Sequence, residues 1–416
     1  MQRDNRQASR TGRRALALVG ALALAVVSSG TAYASDNPIA DKEWALTKLQ
    51  NGEIHSQFNA RGAGVTVAVI DSGVDPNQPD LQGSLLPGIN LVNPENPGAD
   101  TSDDNNESHG TSIATIIAAH AHESNGNQYG MVGLADQAKI LPIKTGTGSN
   151  GGSNPATDAA IRYATDHGAR VINISYGTNG QCPQDVVDSI DYALSHNVVV
   201  VAATGNTAIS GNQVGCPAPV PGVIDVSAIA QNGQMDQYSH YGSDVTVAAP
   251  GVGIEIGLIG GKYGENNGSS LAAPWVAAEA ALIIGLHPTW TQGQVVSAII
   301  DNTAQAASGQ TQHGKRFDDH IGYGVIDPVA ALGAAEPAST TNPLGGPAVV
   351  STAGSSTAPS ANSTAAGPGS GNQTPTASSS KKSSSLGLVV GIIVVVVVVG
   401  GIVLFFVSRS RRGGGK

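Results

Sequence analysis

At 416 residues and 40% hydrophobic content, the chain is long enough to bury a full globular core. Its formal net charge is -10 and no basic run occurs outside the two ends, which leaves no electrostatic footprint for a nucleic-acid partner.

The first segment, residues 1–34, reads as a secretory signal peptide. Scattered arginines end in Arg13-Arg14, an apolar run follows from Ala15 to Val27, and small residues surround Ala32-Tyr33-Ala34, which places cleavage after Ala34. Residues 35–61 form a short N-terminal extension carrying Trp44, Leu46 and Leu49. Residues 62–335 hold the globular domain, in which short apolar runs alternate with amphipathic stretches. The runs are Val65 to Ile70, Ile140 to Lys144, Val171 to Ile174, Val198 to Ala203, Val223 to Ile229 and Val245 to Ala248. Most are rich in Val and Ile and too continuous to have one wet face, so they read as strands covered on both sides.

Helical patterns fall between the runs. Ile113, Ile116 and Ile117 make one apolar stripe, Ala160, Ile161 and Ala164 a second, and Val186, Val187, Ile190 and Leu194 a third. A long helix is expected from Ser270 to about Gly285. This alternation predicts an α/β fold, a mainly parallel sheet with helices on both faces and ligands at the carboxyl ends of its strands.

Beyond the domain, residues 336–385 are almost wholly Ser, Thr, Ala, Gly, Pro and Asn. Such a composition buries too little apolar surface to offset its ordering entropy and reads as a flexible stalk. Residues 386–407 carry no charge, and at ~1.5 Å per residue they are long enough to cross a bilayer as a transmembrane helix. The tail, 408–416, carries Arg409, Arg411, Arg412 and Lys416 against only Lys381 and Lys382 before the span. That bias puts the tail in the cytoplasm and the domain outside the cell membrane. Cys182 and Cys216 both lie in the exported part, where an oxidising compartment permits a disulfide and two free buried thiols are the alternative.

Three residues stand where chemistry is commonly placed. Asp71 closes the run Val65 to Ile70, delivering a carboxylate at a strand end, although a capping role for the next turn gives the same pattern. His109 precedes Gly110-Thr111 and an apolar helix, a position from which an imidazole can reach a carboxylate and a hydroxyl; a solvated loop histidine is the alternative. Ser270 lies in Asn267-Gly-Ser-Ser-Leu-Ala-Ala-Pro274, at the positive end of the long helix. Asp, then His, then a helix-start Ser is the chain order of one of the known catalytic triads.

The flanking residues resemble the subtilisin-like serine proteases: Val69-Ile-Asp-Ser-Gly73, His109-Gly-Thr111 and Gly268-Ser-Ser-Leu-Ala-Ala-Pro274. The likeness runs from Gly62 to Leu332, taking in Ala248-Ala-Pro-Gly251 and Gly322-Tyr-Gly-Val-Ile-Asp-Pro328. It implies a serine endopeptidase with Asp71, His109 and Ser270 as triad and Asn206, in Ala203-Thr-Gly-Asn206, as the side-chain donor of the oxyanion hole. It also implies that Ser175, Tyr176 and Gly177 pair with substrate backbone. A Cys182–Cys216 bridge would then tie together two loops framing the cleft. Two departures stand out: Ser269, where Thr usually precedes the nucleophile, and Glu107-Ser108 before His109, where glycine is more usual.

Other clusters carry less. His120, His122 and Glu123 read as a solvated helix end and not as a metal site, and Gly260, Gly261 and Gly264 as hairpin glycines. The stretch Gly146 to Gly152 either lines the substrate groove, as the corresponding loop of the family does, or is simply mobile. No cofactor is called for. The short extension, the stalk and the single span together resemble the mycosins, membrane-anchored subtilisin-like proteases that accompany type VII secretion systems. By that likeness the partners are a protein or peptide substrate and a secretion membrane complex. A structural role in that complex, with proteolysis secondary, is the alternative.

Overall fold

The computed structural model describes residues 37–93, 95–103, 108–146, 156–305 and 310–350. The expected signal peptide, the span, the tail, most of the stalk, Glu107 and residues 147–152 lie outside that set.

Nine strands form one sheet: β1 (Thr66–Asp71), β2 (Ile89–Asn90), β3 (Lys139–Lys144), β4 (Val171–Ile174), β5 (Val199–Ala203), β6 (Ile224–Ile229), β7 (Val247–Pro250), β8 (Ala304–Gln305) and β9 (Gly324–Val325). Their order is β8-β9-β7-β6-β5-β4-β1-β3-β2. All neighbours pair parallel except β8 with β9. The continuous Val and Ile runs are explained by burial on both faces. Val67 and Val69 point into one core, with Ile113, Ile116 and Ile117, while Ala68 and Ile70 point into the other, with Ile161, Ile190 and Leu194.

Those opposite cores are closed by helices α1 (His109–Ala118), α2 (Thr157–Asp166), α3 (Gln184–Ser195), α4 (Ser269–Leu286) and α5 (Gln292–Asp301). Helices α1 and α4 pack together on the first face, and α2 and α3 on the second. Helix α4 is long and apolar enough to cross a membrane, but 83% of it is buried inside the domain, so it is the core helix.

Two expectations are corrected. His120, His122 and Glu123 belong to a strand, His120–Ser124, that pairs antiparallel with Asn127–Val132. His122 is half-buried and paired: its Nδ1 lies 2.6 Å from Oδ1 of the fully buried Asp80. Residues 336–350, assigned to the stalk by composition, lie as a strap against the domain. Asn342 is buried and its Nδ2 donates to Gly222 O (3.0 Å) and Gln292 Oε1 (2.8 Å), while Val350 N donates to Ser195 O (2.8 Å).

The extension is integral to the domain. Ala45, Leu49 and Ile54 join the core, and Trp44 Nε1 donates to Gly253 O at 2.7 Å. Glu43 is buried beside Asp80 and Glu255. Burial first, then those two charges, push its acid up to about 9, although a hydrogen bond from Val132 N opposes the shift.

Candidate active site

Strand β1 delivers Asp71 to the carboxyl edge of the sheet, and the first residue of α1 brings His109 to it. His109 Nδ1 and Asp71 Oδ1 are 2.8 Å apart, with both residues buried, and Ser72 N donates to the same oxygen at 2.7 Å. A carboxylate only accepts, so Nδ1 carries the proton and Nε2 is left as the acceptor.

A second carboxylate, Asp103, fixes this pair. Its Oδ1 accepts from Ser72 Oγ (3.1 Å), and its Oδ2 accepts from Thr111 N (3.0 Å) and Thr111 Oγ1 (2.7 Å). Ser72 Oγ in turn accepts from Gly110 N at 2.9 Å, and Thr111 Oγ1 from Asp75 N at 3.0 Å. The turn after Asp71 is thereby stapled to the first turn of α1, whose amides have no intrahelical acceptor. Sequence reading missed Asp103; an Asp shortly ahead of a helix start is the signal that could have found it. Ser108, at the site of a family departure, sits at φ 55 and its Oγ accepts from Ile259 N at 3.1 Å, tying the start of α1 to the hairpin before Ser270.

Ser270 is the second residue of α4, where its N–H is among the first-turn amides that lack an intrahelical partner. Pro274 lies one turn further on and removes the hydrogen bond that would otherwise reach the Ser270 carbonyl. Gly268 precedes the helix at φ +144, and a methyl group there would lie 3.0 Å from Asn206 Nδ2 and 3.3 Å from Ser270 Oγ. The missing side chain leaves a small gap onto which the hydroxyl and the amide both open, as an oxyanion site requires.

Asn206 is held by Ser269. The N–H and Oγ of Ser269 lie 2.9 Å and 3.1 Å from Asn206 Oδ1, and Ser269 Oγ accepts from Gly205 N at 3.1 Å. With Oδ1 engaged as acceptor, Nδ2 faces the gap. The departure at 269 therefore keeps the hydroxyl that does the holding.

The segment Ser175 to Gly177 follows β4, and the Tyr176 side chain points inward. It is buried, with its hydroxyl 3.2 Å from Thr157 Oγ1 and 3.4 Å from Thr145 Oγ1, and burial pushes its phenol up to about 12. Thr178–Asn179 pairs antiparallel with Gly215–Cys216, and Cys182 is bonded to Cys216, which removes the free-thiol alternative. Gly177 and Gly215 face each other so closely that a Cβ on Gly177 would lie 2.9 Å from the Gly215 Cα. Among the described residues, no group of three or more His, Cys, Asp or Glu side chains is arranged to hold a metal ion.

A parallel sheet with a buried acid–imidazole pair at its carboxyl edge, and a helix-start serine that shares a gap with Asn206, defines a subtilisin-like serine endopeptidase. The chain belongs to the subtilase family, whose model matches residues 62–324. It is 37% identical over 294 residues to subtilisin NAT of Bacillus subtilis subsp. natto, covering 68% of this chain and 73% of that protein. Two solved structures of MycP1 are similar. One, with its N-terminal propeptide removed, aligns at a TM-score of 0.58 and 31% identity over 71% of this chain and 98% of that one. The other, from the ESX-1 type VII secretion system, aligns at a TM-score of 0.60 and 29% identity over 74% and 89%.

Proposed function

We propose that Asp71, His109 and Ser270 are the catalytic triad of an exported, membrane-anchored endopeptidase that serves a type VII secretion system. The observation that carries the chemistry is the buried contact of 2.8 Å between His109 Nδ1 and Asp71 Oδ1, which leaves Nε2 free of the proton.

His109 takes the proton of Ser270 as its Oγ attacks a peptide carbonyl, and the tetrahedral oxygen enters the gap beside Gly268. Asn206 Nδ2 and the Ser270 N–H stabilise its charge there. His109 then protonates the leaving amine, and water resolves the acyl-enzyme by the same route in reverse. Asp71 holds the imidazole in place and stabilises its cation. The backbone of Ser175 to Gly177 aligns the substrate, and the Cys182–Cys216 bridge holds the adjoining ladder.

Anchoring is supported by the apolar segment 386–407 and its basic tail, and export by residues 1–34. The secretion assignment is supported by the likeness to MycP1 of ESX-1. Two experiments test the reading. The fragment 35–350 is expected to cleave members of a peptide library, and its Ser270→Ala variant to cleave none; activity on esters alone contradicts an endopeptidase. In cells, Ser270→Ala is expected to abolish substrate processing. If secretion survives that loss, the chain also serves the apparatus as a structural component.

A further inference from the structure

Just ahead of Ser270 the chain leaves a hairpin, Ile254–Leu258 paired with Lys262–Asn266, whose last pair joins Ile254 to Asn266. One residue further out the two arms stay joined by a side chain: Gly253 N donates to Asn267 Oδ1 at 2.6 Å. Beside that bond, Gly268 N donates to Gly251 O at 2.7 Å, and Gly251 N donates to Ile229 O, the last residue of β6, at 2.9 Å. The turn before the nucleophile is thereby laid along residues 251–253. The sheet holds one end of that segment. The N-terminal extension holds the other, because the indole Nε1 of Trp44 donates to Gly253 O at 2.7 Å.

We infer that Trp44 is a positioning residue: through Gly253 and Asn267 it fixes the turn that presents the hydroxyl and the N–H of Ser270, so that the extension serves catalysis as well as folding. The inference rests on the reading of Ser270 as the nucleophile.

The extension does not need this bond in order to dock. Asn37 Nδ2 donates to Gly130 O at 2.7 Å, Gly130 N donates back to Asn37 Oδ1 at 3.1 Å, and Val132 N donates to Glu43 Oε2 at 3.1 Å. Ala45, Leu49 and Ile54 add apolar burial. The turn does need it. Gly253 stands at φ +66 and Gly268 at φ +144, conformations that a chain holds where its surroundings impose them. Asn267 is exposed, and Ser269 grips the turn from the opposite side, through Asn206 Oδ1. A Cβ on Gly251 would lie 2.8 Å from Gly268 O, so the two backbones are in close contact and a shift of one is passed to the other. Misplacing a reacting group by about 1 Å costs up to about a hundredfold in rate, and losing one outer support should cost a fraction of that.

An anchor and a positioning residue predict different losses. An anchor affects stability alone, whereas positioning shows in the transition state. The test compares the wild type, Trp44→Phe, Asn267→Ala and their double variant, each as the full chain in detergent. It measures kcat and KM on a peptide substrate, the rate of fluorophosphonate labelling at Ser270, and unfolding midpoints. Trp44→Phe keeps a ring in place and removes the N–H. It is expected to lower kcat and the labelling rate about three- to tenfold at unchanged KM. Asn267→Ala is expected to lose at least as much, and the double variant no more than Asn267→Ala alone, because both substitutions break one connection. Trp44→Leu, apolar and without a donor, is measured alongside and decides by the same criteria if Trp44→Phe does not fold.

Wild-type kcat and labelling in Trp44→Phe, a change confined to KM or to the midpoint, or single losses that multiply in the double variant overturn the inference and leave Ser270 as nucleophile. If the wild-type label sits on another residue, the nucleophile assignment and the inference fall together.

Discussion

The two halves of the site are built in opposite ways. Asp71 and His109 are only 3% and 7% exposed, and their surroundings form a closed set of hydrogen bonds through Ser72, Asp103, Gly110 and Thr111. Ser270 is half-buried and Asn206 is exposed, and they face a gap made by the absence of a side chain at Gly268. The difference follows from what each half must do. In the proposed mechanism the acid and base manage charge, which a dry, rigid setting makes more effective, whereas the hydroxyl and the amide must be reached by a polypeptide from solvent.

That contrast can be broken by substitution. Asp71→Asn leaves the shape of the buried half intact but favours the wrong imidazole tautomer, and it is expected to lower kcat by about 10⁴ with little change in KM. A loss under tenfold would mean that the buried half is not the acid–base device. Asn206→Ala acts on the open half and is expected to lower kcat by about 10²–10³, some 3 kcal/mol of transition-state stabilisation, again at nearly constant KM. An effect confined to KM would make Asn206 a substrate contact and not an oxyanion donor.

Removing the bridge tests how the open half keeps its shape. Closing a loop between residues 34 apart contributes roughly 3–4 kcal/mol, so a Cys182→Ser, Cys216→Ser enzyme is expected to unfold at correspondingly lower denaturant. Its KM should rise more than its kcat falls, because the ladder beside the Ser175 to Gly177 segment loosens. Unchanged stability would contradict this.

The smallest expected effect lies away from both halves, at Glu43. In the folded chain this acid keeps its proton to about 9, whereas its ordinary value is 4.5. Its contribution to stability is therefore complete below about 4.5 and declines as pH rises toward 9. Glu43→Gln keeps an acceptor for Val132 N without the ionisation, and is expected to gain roughly 1–3 kcal/mol over the wild type at pH 7. Unfolding curves at pH 5 and pH 8 check the sign, since the advantage must grow with pH. A flat difference would place Glu43 in a wetter setting than the fold gives it.

Much of this arrangement was legible in the sequence, and the exceptions share a cause. Asp71 after a Val-Ile run, His109 before an apolar stripe and Ser270 ahead of a long apolar helix are each announced by local periodicity. Strands and helices were accordingly placed to within a residue or two, as with Val223 to Ile229 against Ile224–Ile229. Contacts between distant segments leave no such mark. Asp103 acts through Ser72 and Thr111, and Ser269 through Asn206, across separations that periodicity does not reach. The strand His120–Ser124 looks like a helix end in the sequence because its alternation is short and its residues are polar, yet His122 is paired with Asp80. The strap 336–350 has the composition of a stalk because it carries few apolar residues; what holds it is a buried Asn342 and backbone hydrogen bonds.

The central claim is that one hydroxyl, at Ser270 and not at the adjacent Ser269, is made nucleophilic by His109. Labelling the folded domain with a fluorophosphonate and mapping the adduct by mass spectrometry tests it most directly. The account predicts one phosphonyl group per chain, on Ser270, and none in His109→Ala over the same interval. An adduct on Ser269, or peptide cleavage that persists when Ser270 is fully labelled, would contradict it.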